Sequence, residues 1–296
     1  VETKNIGLRN IEVADTKISA IDSINGKLIY RGYDVLDLVK KSTYEETACM
    51  LLNDDLPSKH MLSEFFEKLV ARREIPSVIE RNLKNLPKTA NPMDVLQSCV
   101  AELALYDKEK SDDRTTNYHR AIDLIAKIPT IVAYWDRIRN DKEPVKPSKK
   151  LDHADNFLYM LTGKEPDKEL ARIFDICLIL HAEHSFNAST FAAREVASTR
   201  AHMYAAVSAA IGALSGELHG GANFKVTQML LDIKTEDRVE SWIKERLSQG
   251  KKIMGMGHAV YKTFDPRAEV LRELSKRLSE ITGEPWYKIT KRVEDV

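Results

Sequence analysis

The stretch Lys251-Lys252-Ile253-Met254-Gly255-Met256-Gly257-His258-Ala259-Val260-Tyr261-Lys262-Thr263-Phe264-Asp265-Pro266-Arg267 stands apart from its surroundings. The patterns around it are helical, whereas two glycines, a histidine and an Asp-Pro-Arg turn interrupt helix here and mark a candidate functional loop. Glycines beside His258, followed by Lys262 and Arg267, suit an anionic ligand. A guanidinium grips a carboxylate through two parallel hydrogen bonds, and an ammonium offers a point charge to a phosphate. Gly-x-Gly is preceded by no strand and no P-loop pattern occurs, so nothing here makes a nucleotide fingerprint. The residues alone point to a histidine-rich site for a small carboxylate, with a phosphorylated partner.

Upstream, His219 sits in Gly216-Glu217-Leu218-His219-Gly220-Gly221-Ala222-Asn223, between two helical segments. An imidazole so placed can exchange protons near neutral pH, and the glycines let backbone approach a ligand closely. The competing reading is an ordinary glycine-rich turn. His181 and His184 stand three apart in His-Ala-Glu-His, which lacks the His-Glu-x-x-His spacing of a zinc site. No metal is expected, and His181 reads as a packed core histidine.

Lys+Arg and Asp+Glu balance at 45 each over 296 residues, which excludes a nucleic-acid binder relying on global charge. With 43% hydrophobic and 30% charged residues the composition is that of a soluble protein. No run approaches the roughly 18 apolar residues of a membrane span and no signal peptide is visible, so the expectation is a cytoplasmic protein. Cys49, Cys99 and Cys177 are far apart in apolar stretches and read as reduced, buried thiols.

The one convincing β region is N-terminal: Lys17 to Ile21 alternates, Asn25-Gly26 turns, and Leu28-Ile29-Tyr30 returns. Helical patterns follow over Tyr44 to Leu52 (with Ser42-Thr43 as caps), Met61 to Ala71, Pro92 to Leu105, Ala121 to Arg139 and Leu151 to Leu180. Lys142 to Ser148, with Pro144 and Pro147, reads as a loop. Tyr204 to Leu214 is rich in small residues; Ala205, Ala209 and Gly212 share a face that admits another helix closely, either within the chain or across a subunit interface.

Three segments, His181 to Thr190, Leu218 to Asn223 and Gly255 to Arg267, resemble in order and separation the successive signatures of the citrate synthase family, and Tyr30-Arg31-Gly32-Tyr33-Asp34 resembles its N-terminal region. The resemblance implies a mainly α, two-domain helical fold with a short N-terminal β-hairpin: a large domain over 1–220 and a small acyl-CoA-binding one over 221–296. It implies a homodimer and the condensation of acetyl-CoA with oxaloacetate and water to citrate and CoA, with acyl-CoA as co-substrate and no cofactor. By resemblance His219 stabilises the enol form of the thioester, His258 polarises the oxaloacetate keto group, His184 and Arg267 hold oxaloacetate, and Lys262, Gly255 and Gly257 belong to the CoA site.

Removing a proton from the methyl beside a thioester also requires a base. The family's aspartate, in an Asn-x-Asp pattern after the arginine motif, is not found up to Val296, and the expectation is that it lies in a segment beyond. Met256 and Glu217 depart from an aromatic and a proline, and Asn223 leans toward the methylcitrate branch. A 2-methylcitrate synthase using propionyl-CoA is the close alternative. An alternative of another class is a non-catalytic ligand-binding or assembly subunit without the aspartate.

Overall fold

Alternation around Asn25-Gly26 does produce a hairpin, and the rest of the described residues are mainly helical. The computed structural model describes residues 14–109, 111–256 and 264–296. Strand β1 (Ser19–Asp22) pairs antiparallel with β2 (Lys27–Tyr30), Ser19 opposite Tyr30 and Asp22 opposite Lys27, and β3 (Tyr33–Asp34) adds to the other edge of β2. The turn is longer than an Asn-Gly pair and runs from Ser23 to Gly26. Asp22 organises it: its carboxylate accepts from the backbone N–H of Ile24 (3.1 Å) and Asn25 (2.9 Å) and from the Asn25 amide (2.7 Å).

Fourteen α-helices follow among the described residues: α1 (Val35–Lys41), α2 (Tyr44–Asn53), α3 (Lys59–Ala71), α4 (Ser77–Asn85), α5 (Pro92–Leu103), α6 (Arg114–Arg139), α7 (His153–Thr162), α8 (Lys168–His181), α9 (Ala188–Ser198), α10 (Met203–Ser215), α11 (Gly221–Ile233), α12 (Val239–Ser248), α13 (Pro266–Thr282) and α14 (Trp286–Asp295). Several of their starts are set by side-chain caps. Thr43, Ser58, Asn91 and Asp113 accept from N–H groups in the first turns of α2, α3, α5 and α6. The Asp113 cap explains why α6 begins seven residues before the expected Ala121. The run expected from Leu151 to Leu180 is two helices, because Gly163 (φ 81°) ends α7 with its N–H on the Tyr159 carbonyl at 2.8 Å.

Four groups of buried side chains hold these elements. One joins α4, α5, α6 and α10 through Ile79, Val100, Trp135 and Ile211. A second seats Leu28 and Tyr30 of the hairpin on α1 and on Ile176, Ile179 and Leu180 of α8, with Val270, Leu271 and Leu274 of α13 packed against it. A third joins α2, α3 and α6. The fourth is formed by α11, α12 and α14, through Ile233, Val239 and Ile289. On the small-residue face of α10, Gly212 lies against the Gln97 side chain of α5. Cys49 and Cys99 are buried and Cys177 half-buried, all as free thiols, and burial pushes the Cys99 thiol up to about 12. No helix among the described residues is long and apolar enough to cross a membrane.

The interior also holds charge. Arg73 is 1% exposed and donates from Nη1 to the carbonyls of Ser148 (2.7 Å) and Leu151 (2.8 Å), pinning the proline-rich loop. Glu45 accepts the His153 N–H at 2.6 Å. The His153 imidazole is buried near Arg73, and burial, then the Arg73 charge, push its pKa from the ordinary 6.5 down to about 3. The folded protein therefore keeps this ring neutral where the unfolded chain protonates it, so its contribution to stability is lost as pH falls below 6.5 and on toward 3. In urea titrations of stability against pH, His153→Leu is expected to remove up to about 1.4 kcal/mol per pH unit of acid slope between about pH 6 and 4. A slope equal to the parent's would show that His153 titrates normally.

Candidate active site

Two of the three sequence signatures meet in the structure. Asn187 caps α9, its side chain accepting the Thr190 N–H at 2.9 Å, and this places Ser189 in the helix's first turn. From there the Ser189 hydroxyl reaches Nε2 of His219 at 2.8 Å. His219 is half-buried in the turn between α10 and α11, while Leu218 beside it faces solvent. The turn is closed by backbone: His219 N–H donates to the Gly216 carbonyl (3.0 Å), Gly220 N–H to that of Leu214 (3.0 Å) and Gly221 N–H to that of Gly216 (3.2 Å). Gly220 is required by space, since a Cβ there would lie 2.3 Å from the Leu214 carbonyl oxygen.

His184 is half-buried in the loop between α8 and α9, ahead of Ser185, whose φ of 59° is left-handed. His181, expected in the core, is exposed on the last turn of α8, with Nδ1 2.7 Å from the Cys177 carbonyl oxygen. Its helix face points outward because the buried face of α8 is the one bearing Ile176, Ile179 and Leu180.

Arg267 lies in the first turn of α13, behind Pro266. Its guanidinium grips a carboxylate bidentately, as its chemistry suggests, but that carboxylate is Asp265: Nε to Oδ1 at 3.0 Å and Nη2 to Oδ2 at 2.7 Å. Asp265 also caps the helix, accepting the Arg267 N–H at 3.0 Å. The second buried group brings this end of the chain to the hairpin and α8, and Phe264 lies against the hairpin turn, where a Cβ on Gly26 would meet its ring at 3.0 Å. Gly255 (φ 87°) borders a largely apolar cavity of about 440 Å³ between α11, α13 and α14, lined by Val226, Leu230, Met256, Leu271 and Tyr287. Gly257, His258 and Lys262 lie outside the described residues.

Residues 7–296 match the family model described as the citrate synthase C-terminal domain. The chain belongs to the citrate synthase family. It is 42% identical over 292 residues to the citrate synthase of a Synechocystis species, covering 98% of this chain and 74% of that one. It is 39% identical over 281 residues to the citrate/2-methylcitrate synthase of Bacillus subtilis, covering 94% and 75%. Among solved structures, the ternary complex of Thermoplasma acidophilum citrate synthase with carboxymethyl coenzyme A and oxaloacetate superposes with a TM-score of 0.91 at 29% identity, covering 97% of this chain and 76% of that one. The protein is thus an enzyme of the citrate synthase type, with the helical fold of that family.

Sequence reasoning missed Ser189 as a functional candidate. It lies inside the His181 to Thr190 signature, yet its partner is thirty residues on and no local spacing links them. The double use of Asp265, as helix cap and as guanidinium partner, was equally hidden. Asp265→Ala is expected to cost about 1–2 kcal/mol through loss of the cap, and Asp265→Asn much less. Denaturant unfolding checks this, and equal losses would show that the charge pair rather than the cap dominates.

Proposed function

We propose that this chain condenses acetyl-CoA with oxaloacetate and water to give citrate and CoA, with His219 on the oxygen side of the enol intermediate. The Ser189–His219 hydrogen bond carries this reading. On this reading the Ser189 hydroxyl, 2.8 Å from Nε2, is the donor, which leaves the ring proton of a neutral imidazole on Nδ1 as a fixed donor. Aimed at the thioester oxygen, that N–H stabilises the charge that develops when the methyl proton leaves. A carboxylate base takes the methyl proton, the resulting carbon attacks the oxaloacetate keto carbon as that oxygen takes up a proton, and water then releases CoA from the thioester.

On this reading His184 and Arg267 hold the oxaloacetate carboxylate end, with the guanidinium plane oriented by Asp265. His258 polarises the keto group. Gly255, Gly257 and Lys262 serve CoA, and the apolar cavity beside Gly255 suits the non-polar parts of an acyl-CoA. Residues 221–296 act as the small domain that closes over acyl-CoA and 1–220 as the large one, closure excluding water from the enol.

Release of thiol from acetyl-CoA in the presence of oxaloacetate tests the assignment in the intact protein. His219→Ala is expected to lower kcat about 10²–10³-fold, the loss typical of one oxyanion donor. Ser189→Ala should lower kcat at least about tenfold with little change in KM, because it frees the tautomer without removing the ring. An unaltered kcat in both variants would refute the role of His219. Propionyl-CoA is the second candidate substrate, favoured by the name of the Bacillus subtilis relative. One methylene is worth only about 1–3 kcal/mol of discrimination, so kcat/KM measured side by side for the two acyl-CoAs decides between citrate and 2-methylcitrate.

A homodimer is part of the proposal. None of the residues of α9 is fully buried, although the helix carries Phe191, Val196 and several alanines. A groove of about 540 Å³ between α9 and α10, lined by Ala193, Ala197, Ala206, Val207 and Ala210, offers a second copy an apolar surface. Sedimentation should give twice the monomer mass, and Ala197→Glu should shift it toward monomer. A monomeric parent protein would overturn this part.

A further inference from the structure

The α8–α9 loop is gripped from one side by the hairpin, at the residue just before His184. Tyr30 is fully buried, and its hydroxyl donates to the Glu183 carbonyl at 2.8 Å, with the Leu180 carbonyl a weaker alternative at 3.3 Å. The same oxygen accepts the Glu183 N–H at 3.3 Å. The Glu183 carboxylate accepts the Ser19 hydroxyl at 3.0 Å. Ser19 and Tyr30 are directly opposite one another in the β1–β2 ladder, so backbone and side chain of Glu183 are held by a single cross-strand pair. The hairpin is rigid at this point because Leu28 and Tyr30 are both buried against α1 and α8.

Such a grip has something to oppose. Ser185 sits at φ 59°, a conformation that costs a non-glycine residue about 1 kcal/mol or more and persists only where its surroundings impose it. Burial holds the Glu183 carboxyl above the usual carboxylate range, only partly offset by the Ser19 hydroxyl, the backbone N–H groups of Ser185 and His184, and the Arg31 guanidinium. Those two N–H groups flank the His184 side chain, so the carboxylate orders the backbone that aims the imidazole.

We infer that Ser19, Tyr30 and Glu183 form a clamp that positions His184 for oxaloacetate. This rests on the reading of His184 as an oxaloacetate ligand. None of the three touches the reacting atoms; they are positioning residues. Glu183→Gln keeps an amide oxygen to accept from Ser19 and the loop N–H groups, so the clamp survives without its charge. Glu183→Ala loses it, and Tyr30→Phe removes only the hydroxyl that holds the backbone.

The test is calorimetric titration of oxaloacetate, with CoA as control ligand, into the intact protein and its variants, folding being checked by circular dichroism. Glu183→Ala and Tyr30→Phe are expected to weaken oxaloacetate about tenfold or more, since small displacements of a positioning group carry losses of this order. CoA should change by no more than about twofold and Glu183→Gln should stay within about threefold of the parent, because neither disturbs the ordered loop. Unchanged oxaloacetate binding in Glu183→Ala and Tyr30→Phe overturns the clamp, as does equal weakening of both ligands, or a Gln variant no better than Ala. Should Glu183→Ala not fold, Tyr30→Phe with Ser19→Ala decides the same question. Oxaloacetate binding unaffected by His184→Ala would instead sink the assignment of His184, and the clamp's purpose with it.

Discussion

A buried tyrosine hydroxyl must find a partner, and the one at Tyr30 finds it just past the end of α8, at the Glu183 carbonyl. This requirement ties the small sheet to the helical body. Tyr30 enters the interior because β2 alternates and its inward face carries Leu28 and Tyr30. Its ring then lies against Ile179 and Leu180, and its hydroxyl meets the Glu183 carbonyl in the loop and, more weakly, the Leu180 carbonyl in the last turn of α8. The α8–α9 loop therefore leaves from a fixed point. The same apolar surface receives Val270 and Leu274 of α13, which brings the arginine motif beside that loop from some eighty residues further along the chain.

Electrostatics reinforces the same helix. Arg172 and Asp175, one turn apart on α8, serve the junction of α1 and α2 with opposite signs. Arg172 donates to the carbonyls of Ser42 (2.9 Å) and Val39 at the end of α1, and Asp175 accepts the Tyr44 N–H (2.9 Å) at the start of α2. A cation at carbonyls and an anion at N–H groups is the arrangement helix dipoles favour. Burial raises the Asp175 carboxyl, and the Tyr44 N–H and Arg172 offset that. Charge in this interior is spent on joining elements, consistent with a chain whose net charge is zero.

Much of the fold was legible because it rests on local signals. The apolar repeat alone placed α3 to within two residues, its Ser58 cap having gone unread, and the small-residue run placed α10 to within one at each end. Helices without such signals were not read. Helix α1 is only 7 residues long, α4 follows Pro76 with no side-chain cap, and α9 buries no residue fully, so its pattern carries little hydrophobic contrast. At the candidate site the individual groups stood out by type, but their partnerships did not. Ser189 with His219 and Ser19 with Glu183 are set by where whole helices and strands pack, which no local spacing encodes. His181 was misread for a related reason: its spacing from His184 says nothing about which face of α8 is buried.

On the proposed reading the His219 imidazole depends on its partners to act as a fixed donor. A glycine-flanked imidazole in solution divides its proton between two nitrogens and rotates freely, so it is an indifferent donor. Here the turn's backbone bonds, closed by a Gly220 that no other residue could replace without meeting the Leu214 carbonyl, fix the ring's position. The Ser189 hydroxyl fixes its orientation. Each restraint comes from a different element: the turn after α10 supplies one, and the Asn187-capped start of α9 supplies the other. Helix α9 starts only after the Tyr30-anchored loop, so hairpin, α8, α9 and the His219 turn form a continuous chain of contacts. On the proposed role for His219, a donor held this way needs no reorganisation when charge develops on a neighbouring oxygen.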